Sequence, residues 1–178
     1  LLFFIKILFI NLIIFLKPLS AESNGIKNIT EGDASAKIQI LVYESLTCPH
    51  CATFHKEVYP DLKKEFIDKG LVKIEFKNFP LDMAALNASK IAHCKNDGSS
   101  DILHFLYYNQ TKWIEGETIE QINLNLKNII NKEDFGINFK KCINDEKIEN
   151  HILEDRIESA KKFEINSTPT LIINNKKF

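Results

Sequence analysis

The residues of this chain best suited to chemistry are Cys48 and Cys51, separated only by Pro49 and His50. Thiol-disulfide exchange needs one thiolate that attacks and a second thiol close enough to release the attached partner by closing an internal disulfide. Two intervening residues in the first turn of a helix supply that geometry. Cys48 falls at the helix start, Cys51 lies one turn further in on the same side, and Pro49 suits the first helical position, where its missing N–H would be unpaired anyway. A helix N-terminus favours an anion by about 0.3 to 2 kcal/mol, so a strongly activated Cys48 needs further donors. The backbone N–H groups of His50 and Cys51, the Cys51 thiol and the His50 imidazole are the candidates. The same residues also admit a structural disulfide, or half of a zinc site with His50 and His55. Zinc would need a second ligand cluster, which neither His93-Cys94 nor Cys142 supplies, so no metal and no cofactor are expected. His55 by itself reads as a surface residue of the helix. Glu44 reads most simply as an exposed carboxylate at a strand end, with a proton-transfer group as the alternative.

The elements that position these residues follow from the hydrophobic pattern. Lys37 to Tyr43 is β-branched and mostly apolar, as in a buried strand, and the cysteine motif follows within five residues. From Pro49 to about Lys69 the residues Phe54, Val58, Leu62 and Phe66 recur every four positions, which predicts a helix with one apolar stripe and Lys63, Lys64 and Glu65 on its solvated face. Pro60 should kink that helix and Gly70 should end it. Leu71 to Phe76 alternates and reads as a second strand, closing a strand-helix-strand crossover with parallel strands. Asp82 to Phe163 shows only short helical patterns, broken near Asp97-Gly98, Gly116 and Phe135-Gly136; Leu171 to Ile173 is a strand again.

At 178 residues the chain suits one domain, and 44% hydrophobic and 26% charged residues are ordinary for a globular protein. The net charge of -1 offers no electrostatic case for nucleic acid. Leu1 to Leu16 is nearly all apolar, broken only by Lys6 and Asn11, and Ser20-Ala21 follows. Residues 1–21 therefore read as a signal peptide, with an uncleaved anchor as the alternative. Either way the rest is exported, to a compartment that permits disulfides. The four cysteines, with one close pair, suggest one catalytic and one structural pair. No Met stands at the start, and Met83 is the only one, which suggests a fragment.

Taken together, these residues resemble the DsbA family of exported disulfide oxidoreductases. The resemblance rests on Glu44-Ser45-Leu46-Thr47 leading into Cys48-Pro49-His50-Cys51, on Phe79-Pro80-Leu81-Asp82 after the second strand, and on Ser167-Thr168-Pro169-Thr170 before the third. It implies an α/β thioredoxin fold: residues 22–81 as its N-terminal part, 82–150 as a helical insertion and 151–178 as its C-terminal part. Pro-His between the cysteines is typical of the family's oxidases. Thr168-Pro169 matches the loop holding a cis-proline that faces the redox cysteines, where backbone groups bind an extended substrate; an ordinary trans proline is the alternative. Cys94 and Cys142 match positions where bacterial relatives carry a second pair, which implies a disulfide worth about 4 kcal/mol in the chain-entropy model; two buried free thiols are the alternative. Trp113, Phe105 and Tyr108 are expected in the core of the insertion. The implied function is that of a periplasmic, monomeric dithiol-disulfide oxidase acting on newly exported proteins with free cysteines and reoxidised by a DsbB-like membrane partner. A disulfide isomerase or reductase of the same fold is the alternative, and a non-catalytic metal-binding or substrate-holding module belongs to a different class.

Two departures stand out. Family members often place a buried acid six residues before the first cysteine, where this chain has Val42. The sequence also stops at Phe178, after a turn-like Asn174-Asn175-Lys176, where the family continues with a strand and a helix. The C-terminal strand and helix are therefore expected to be missing, with Leu171 to Ile173 left as an uncovered apolar edge.

Overall fold

The structure, a computed structural model, describes residues 25–178; the expected signal peptide lies outside the described residues. Its centre is β2 (Ile38–Glu44), whose side chains alternate between two covered faces. Ile40 and Val42 enter the main core, while Tyr43 joins Phe79, Ile165 and Ile172 on the other face. β2 pairs in parallel with β3 (Val72–Asn78), from Ile38 opposite Val72 to Glu44 opposite Asn78, so the crossover expected from the sequence is present.

Between them runs a helical segment of alternating character: α1 (Pro49–Thr53), a π-helical stretch Phe54–Val58, α2 (Tyr59–Leu62) and a second π-helical stretch Lys63–Ile67. The first wide turn lies just ahead of Pro60, which lacks an N–H and whose ring crowds the carbonyl four residues back. The apolar stripe is corrected here. Phe54 and Leu62 do pack against the core, but Val58 and Phe66 are exposed, and Cys51, His55, Tyr59 and Ile67 face inward as well. His55 and Tyr59 pass as polar residues in a pattern count, but both find buried partners, and Lys63 is half-buried in an ion pair with Glu31 at 3.1 Å.

The sheet order is β1-β3-β2-β4-β5. β1 (Ile29–Glu31), which the sequence did not reveal, lies antiparallel to β3 and places Glu31 opposite Ile74. The chain passes so close to β3 at Gly32 that a Cβ would stand 2.3 Å from the Val72 carbonyl oxygen. β4 (Thr170–Ile173) pairs antiparallel with β2, and through a two-residue turn at Asn174-Asn175, both at positive φ, with β5 (Lys176–Lys177). The expected bare edge at Leu171 to Ile173 is thus corrected: Ile172 is buried, and the edge is the lysine-bearing β5.

Residues 83–163 are helical, as expected: α3 (Met83–Ala92), α4 (Asp101–Tyr108), α5 (Gln110–Trp113), α6 (Ile119–Glu133), α7 (Phe139–Ile143) and α8 (Glu146–Phe163). Trp113 is fully buried and Phe105 packs against the core, but Tyr108 is 47% exposed rather than in the core. A disulfide joins Cys94 beyond α3 to Cys142 in α7. α8 covers the sheet face opposite the motif helix, where Phe163 meets Tyr43 and Asp155 pairs with Lys77 at 2.7 Å.

Candidate active site

Cys48 is the N-cap of α1, with extended backbone, and Pro49 is the first helical residue. Both Cys48 and Cys51 carry free thiols. Cys51 is completely buried, whereas His50 and Pro49 are exposed. The Cys48 Sγ donates to the Thr168 carbonyl at 3.4 Å, across 120 residues of sequence. The Thr168-Pro169 peptide is cis. A backbone acceptor in the bend before β4 therefore stands directly beside the outer thiol.

The segments on both sides of the motif are tied together. The Phe79 N–H donates to the Glu44 carbonyl at 2.8 Å, the Leu81 N–H donates to Ser45 Oγ at 3.2 Å, and Thr47 Oγ1 donates to Asp82 Oδ2 at 2.8 Å. Asp82 in turn caps α3 through the Ala85 N–H. Two of the tetrapeptides that carried the family resemblance, Glu44-Ser45-Leu46-Thr47 and Phe79-Pro80-Leu81-Asp82, are thus halves of one scaffold. From α5, the buried Gln110 amide donates to the carbonyls of Leu46 at 2.8 Å and Cys48 at 3.0 Å, satisfying backbone groups just before the helix. Sequence reading missed Gln110, whose only signal was a polar residue between the apolar Tyr107 and Trp113.

Two expectations are overturned. Glu44 is 4% exposed and His55 is 0% exposed, and they meet through His55 Nε2 and Glu44 Oε2 at 2.8 Å. The Glu44 side chain alternates onto the same face of β2 as Val42, under the motif helix. The four-residue spacing Cys51, His55, Tyr59 was the available signal, since it places all three on one helical face. A zinc site with both His50 and His55 is not assembled, one being exposed and the other buried in the core. Burial, and after it the charge of Glu44, push the Cys51 thiol far above its usual range. Cys51 is therefore a protonated thiol at neutral pH when reduced.

A family model described as Thioredoxin matches residues 24–178. The crystal structure of Wolbachia pipientis alpha-DsbA1 is 31% identical, covers 90% of this chain and 79% of that one, and superposes with a TM-score of 0.74. The chain belongs to the DsbA-like branch of the thioredoxin family. Among curated proteins, a "Putative protein-disulfide oxidoreductase" of Rickettsia bellii is 28% identical over 80% of this chain and 55% of its own length. A "Probable disulfide bond formation protein D" of Bacillus anthracis is 29% identical over 80% of this chain and 68% of its own. The chain thus spans about half the length of the rickettsial relative. This DsbA-like chain is helical through residues 83–163 and carries its second cysteine pair as a disulfide.

Proposed function

We propose that this protein is a periplasmic dithiol-disulfide oxidase that gives its Cys48–Cys51 disulfide to newly exported proteins with free cysteines. The observation that carries this reading is the asymmetry of the pair: an outer thiol at a helix start beside the Thr168 carbonyl, and an inner thiol sealed in the core. A substrate thiolate attacks Cys48 Sγ, the internal disulfide breaks, and Cys51 leaves with the electron pair and takes up a proton. A second substrate thiolate then attacks the substrate sulfur of the mixed disulfide, and Cys48 departs as the thiolate. The products are an oxidised substrate and a reduced enzyme, which a DsbB-like membrane partner reoxidises. An extended substrate would lie against Thr168 and Pro169, hydrogen bonded through backbone groups. A shallow apolar groove beside Thr47, lined by Met83, Ile114, Ile119 and Ile122, is suited to the side chains of an unfolded chain.

Direction of transfer is the testable part. An oxidase gives its disulfide away easily because its dithiol form is the more stable one, so it is more stable reduced than oxidised. DsbA is itself the general example of this effect. Thermal melts near neutral pH, with Cys94–Cys142 kept bonded, should show the reduced form melting higher. A higher-melting oxidised form would mark a reductase instead.

A further inference from the structure

The inner thiol has a proton to exchange and is sealed from the protein surface. Each time the internal disulfide opens, Cys51 must gain a proton inside the core, and each time it closes, Cys51 must lose one. Burial and the charge of Glu44 make the bare Cys51 thiolate costly, so the transfer has to occur within the site.

Glu44 is the start of an unbroken line of polar atoms. Its Oε2 meets His55 Nε2 at 2.8 Å, His55 Nδ1 meets His104 Nδ1 at 2.9 Å, and His104 Nε2 meets Glu31 Oε1 at 2.8 Å. Glu44 Oε1 is buried without a hydrogen-bond partner among the described residues. Glu31, at the far end, is ringed by donors: Tyr59 Oη at 2.6 Å, Ser100 Oγ at 2.5 Å and Lys63 Nζ at 3.1 Å. Lys63 is 43% exposed and also pairs with Asp68, so this end reaches water. The rings are held in place: His55 stacks on Tyr107 with centroids 4.0 Å apart, and His104 stacks on Tyr59 at 4.2 Å.

Counting protons shows what the line can do. Three contacts need three protons, one in each. Two ionised carboxylates and two neutral imidazoles supply only two, so the complete line holds one proton more than its neutral imidazoles carry. Burial would raise the Glu31 carboxyl, but hydrogen bonds from His104, Ser100, Tyr59 and Lys63 outweigh it and hold it far below the usual carboxylate range. A single hop in each contact carries a positive charge from Glu44 to Glu31, or back, with no ring rotating.

We propose that His55 and His104 conduct the proton of Cys51, by way of Glu44, between the buried thiol and the surface at Glu31. When Cys51 leaves as a thiolate, a proton entering at Glu31 drives one hop in each contact and Glu44 delivers a proton to the thiol, which leaves each ring's proton on its Glu31 side, ready for the reverse hops. When Cys51 attacks to re-form the disulfide, its proton goes to Glu44 and one leaves at Glu31. His55 and His104 touch no reacting sulfur and act through Glu44. Among the described residues, the other charged or titratable groups facing the line are Cys48 from α1, Tyr107 and Tyr108 from α4, and Tyr59, Lys63 and Asp68 from the far part of the helical segment.

The inference rests on the oxidoreductase reading, and the experiment separates the two. Reduced protein is mixed with oxidised glutathione in a stopped-flow instrument. Attack by Cys48 forms the mixed disulfide, and attack by the Cys51 thiolate on the Cys48 sulfur then closes the internal disulfide and expels glutathione thiolate. His104→Gln keeps a polar side chain but cannot take a proton at one atom and release it at another. Relative to the first step, closure should slow by about tenfold or more between about pH 6 and 7, and added imidazole should restore it. Glu31→Gln, which removes the outlet, should slow closure in the same way and serves if His104→Gln folds poorly. Closure at the wild-type rate with the wild-type pH profile in folded variants overturns the conduit while the oxidoreductase reading stands. A wild-type protein that forms no mixed disulfide overturns both.

Discussion

Cys48 and Cys51 share one chemistry and differ only in surroundings. Cys48 caps a helix beside a backbone carbonyl, and Cys51 is enclosed by β2, α4 and its own helix, with its thiol pushed far up by burial and by Glu44. The thiolate is the reactive form, and the proposed roles of the two thiols follow from this difference. In reduced protein, iodoacetamide at mildly acidic pH should alkylate Cys48 and leave Cys51 untouched, as peptide mass mapping would show. Preferential labelling of Cys51 would reverse the assignment. The order of the two thiols was legible in the sequence because it follows from helix position alone. The enclosure of Cys51 with a carboxylate was not, because Glu44 is exposed or buried according to what later segments place over it.

β1, the helical segment from Pro49 to Ile67 and α4 are joined at Glu31, which accepts from Tyr59, Lys63, Ser100 and His104. The carboxyl is held far below its ordinary 4.5 despite the opposing effect of burial. A depressed folded value makes the folded state bind fewer protons than the unfolded one in acid. Its stabilisation is therefore complete above about 4.5 and is lost as pH falls below that toward the folded value. Glu31→Gln should cost about 1 to 3 kcal/mol at neutral pH. The gap between the melting temperatures of wild type and variant should narrow as pH drops from 4.5 toward about 2. A constant gap would show that the carboxylate's charge contributes nothing to this junction.

Across the whole molecule, the Cys94–Cys142 disulfide ties the end of α3 to α7 over 48 residues of sequence. Replacing both cysteines with alanine should cost about 2 to 4 kcal/mol, mainly through the freedom restored to the unfolded chain. For a chain of this size that lowers the melting temperature by on the order of 10 °C. Equal melting temperatures would show that strain in the bridge cancels its gain. What the sequence settled by itself was local: the parallel crossover around Cys-Pro-His-Cys, the helical character of residues 83–163, and the strand after Thr168-Pro169. Periodicity and turn chemistry act over a few residues, so they survive without tertiary context. The tertiary structure alone decided the inward face of the helix, the three-residue β1, the Asn174-Asn175 hairpin, the Gln110 clamp and the line from Glu44 to Glu31. Polar side chains such as His55 and Glu44 can be buried only when partners are supplied to them. Here His104 reaches His55 from 49 positions away and Glu31 from 73 positions away. No pattern within either segment records that meeting, because the partner's contribution to burial exists only once the chain has folded.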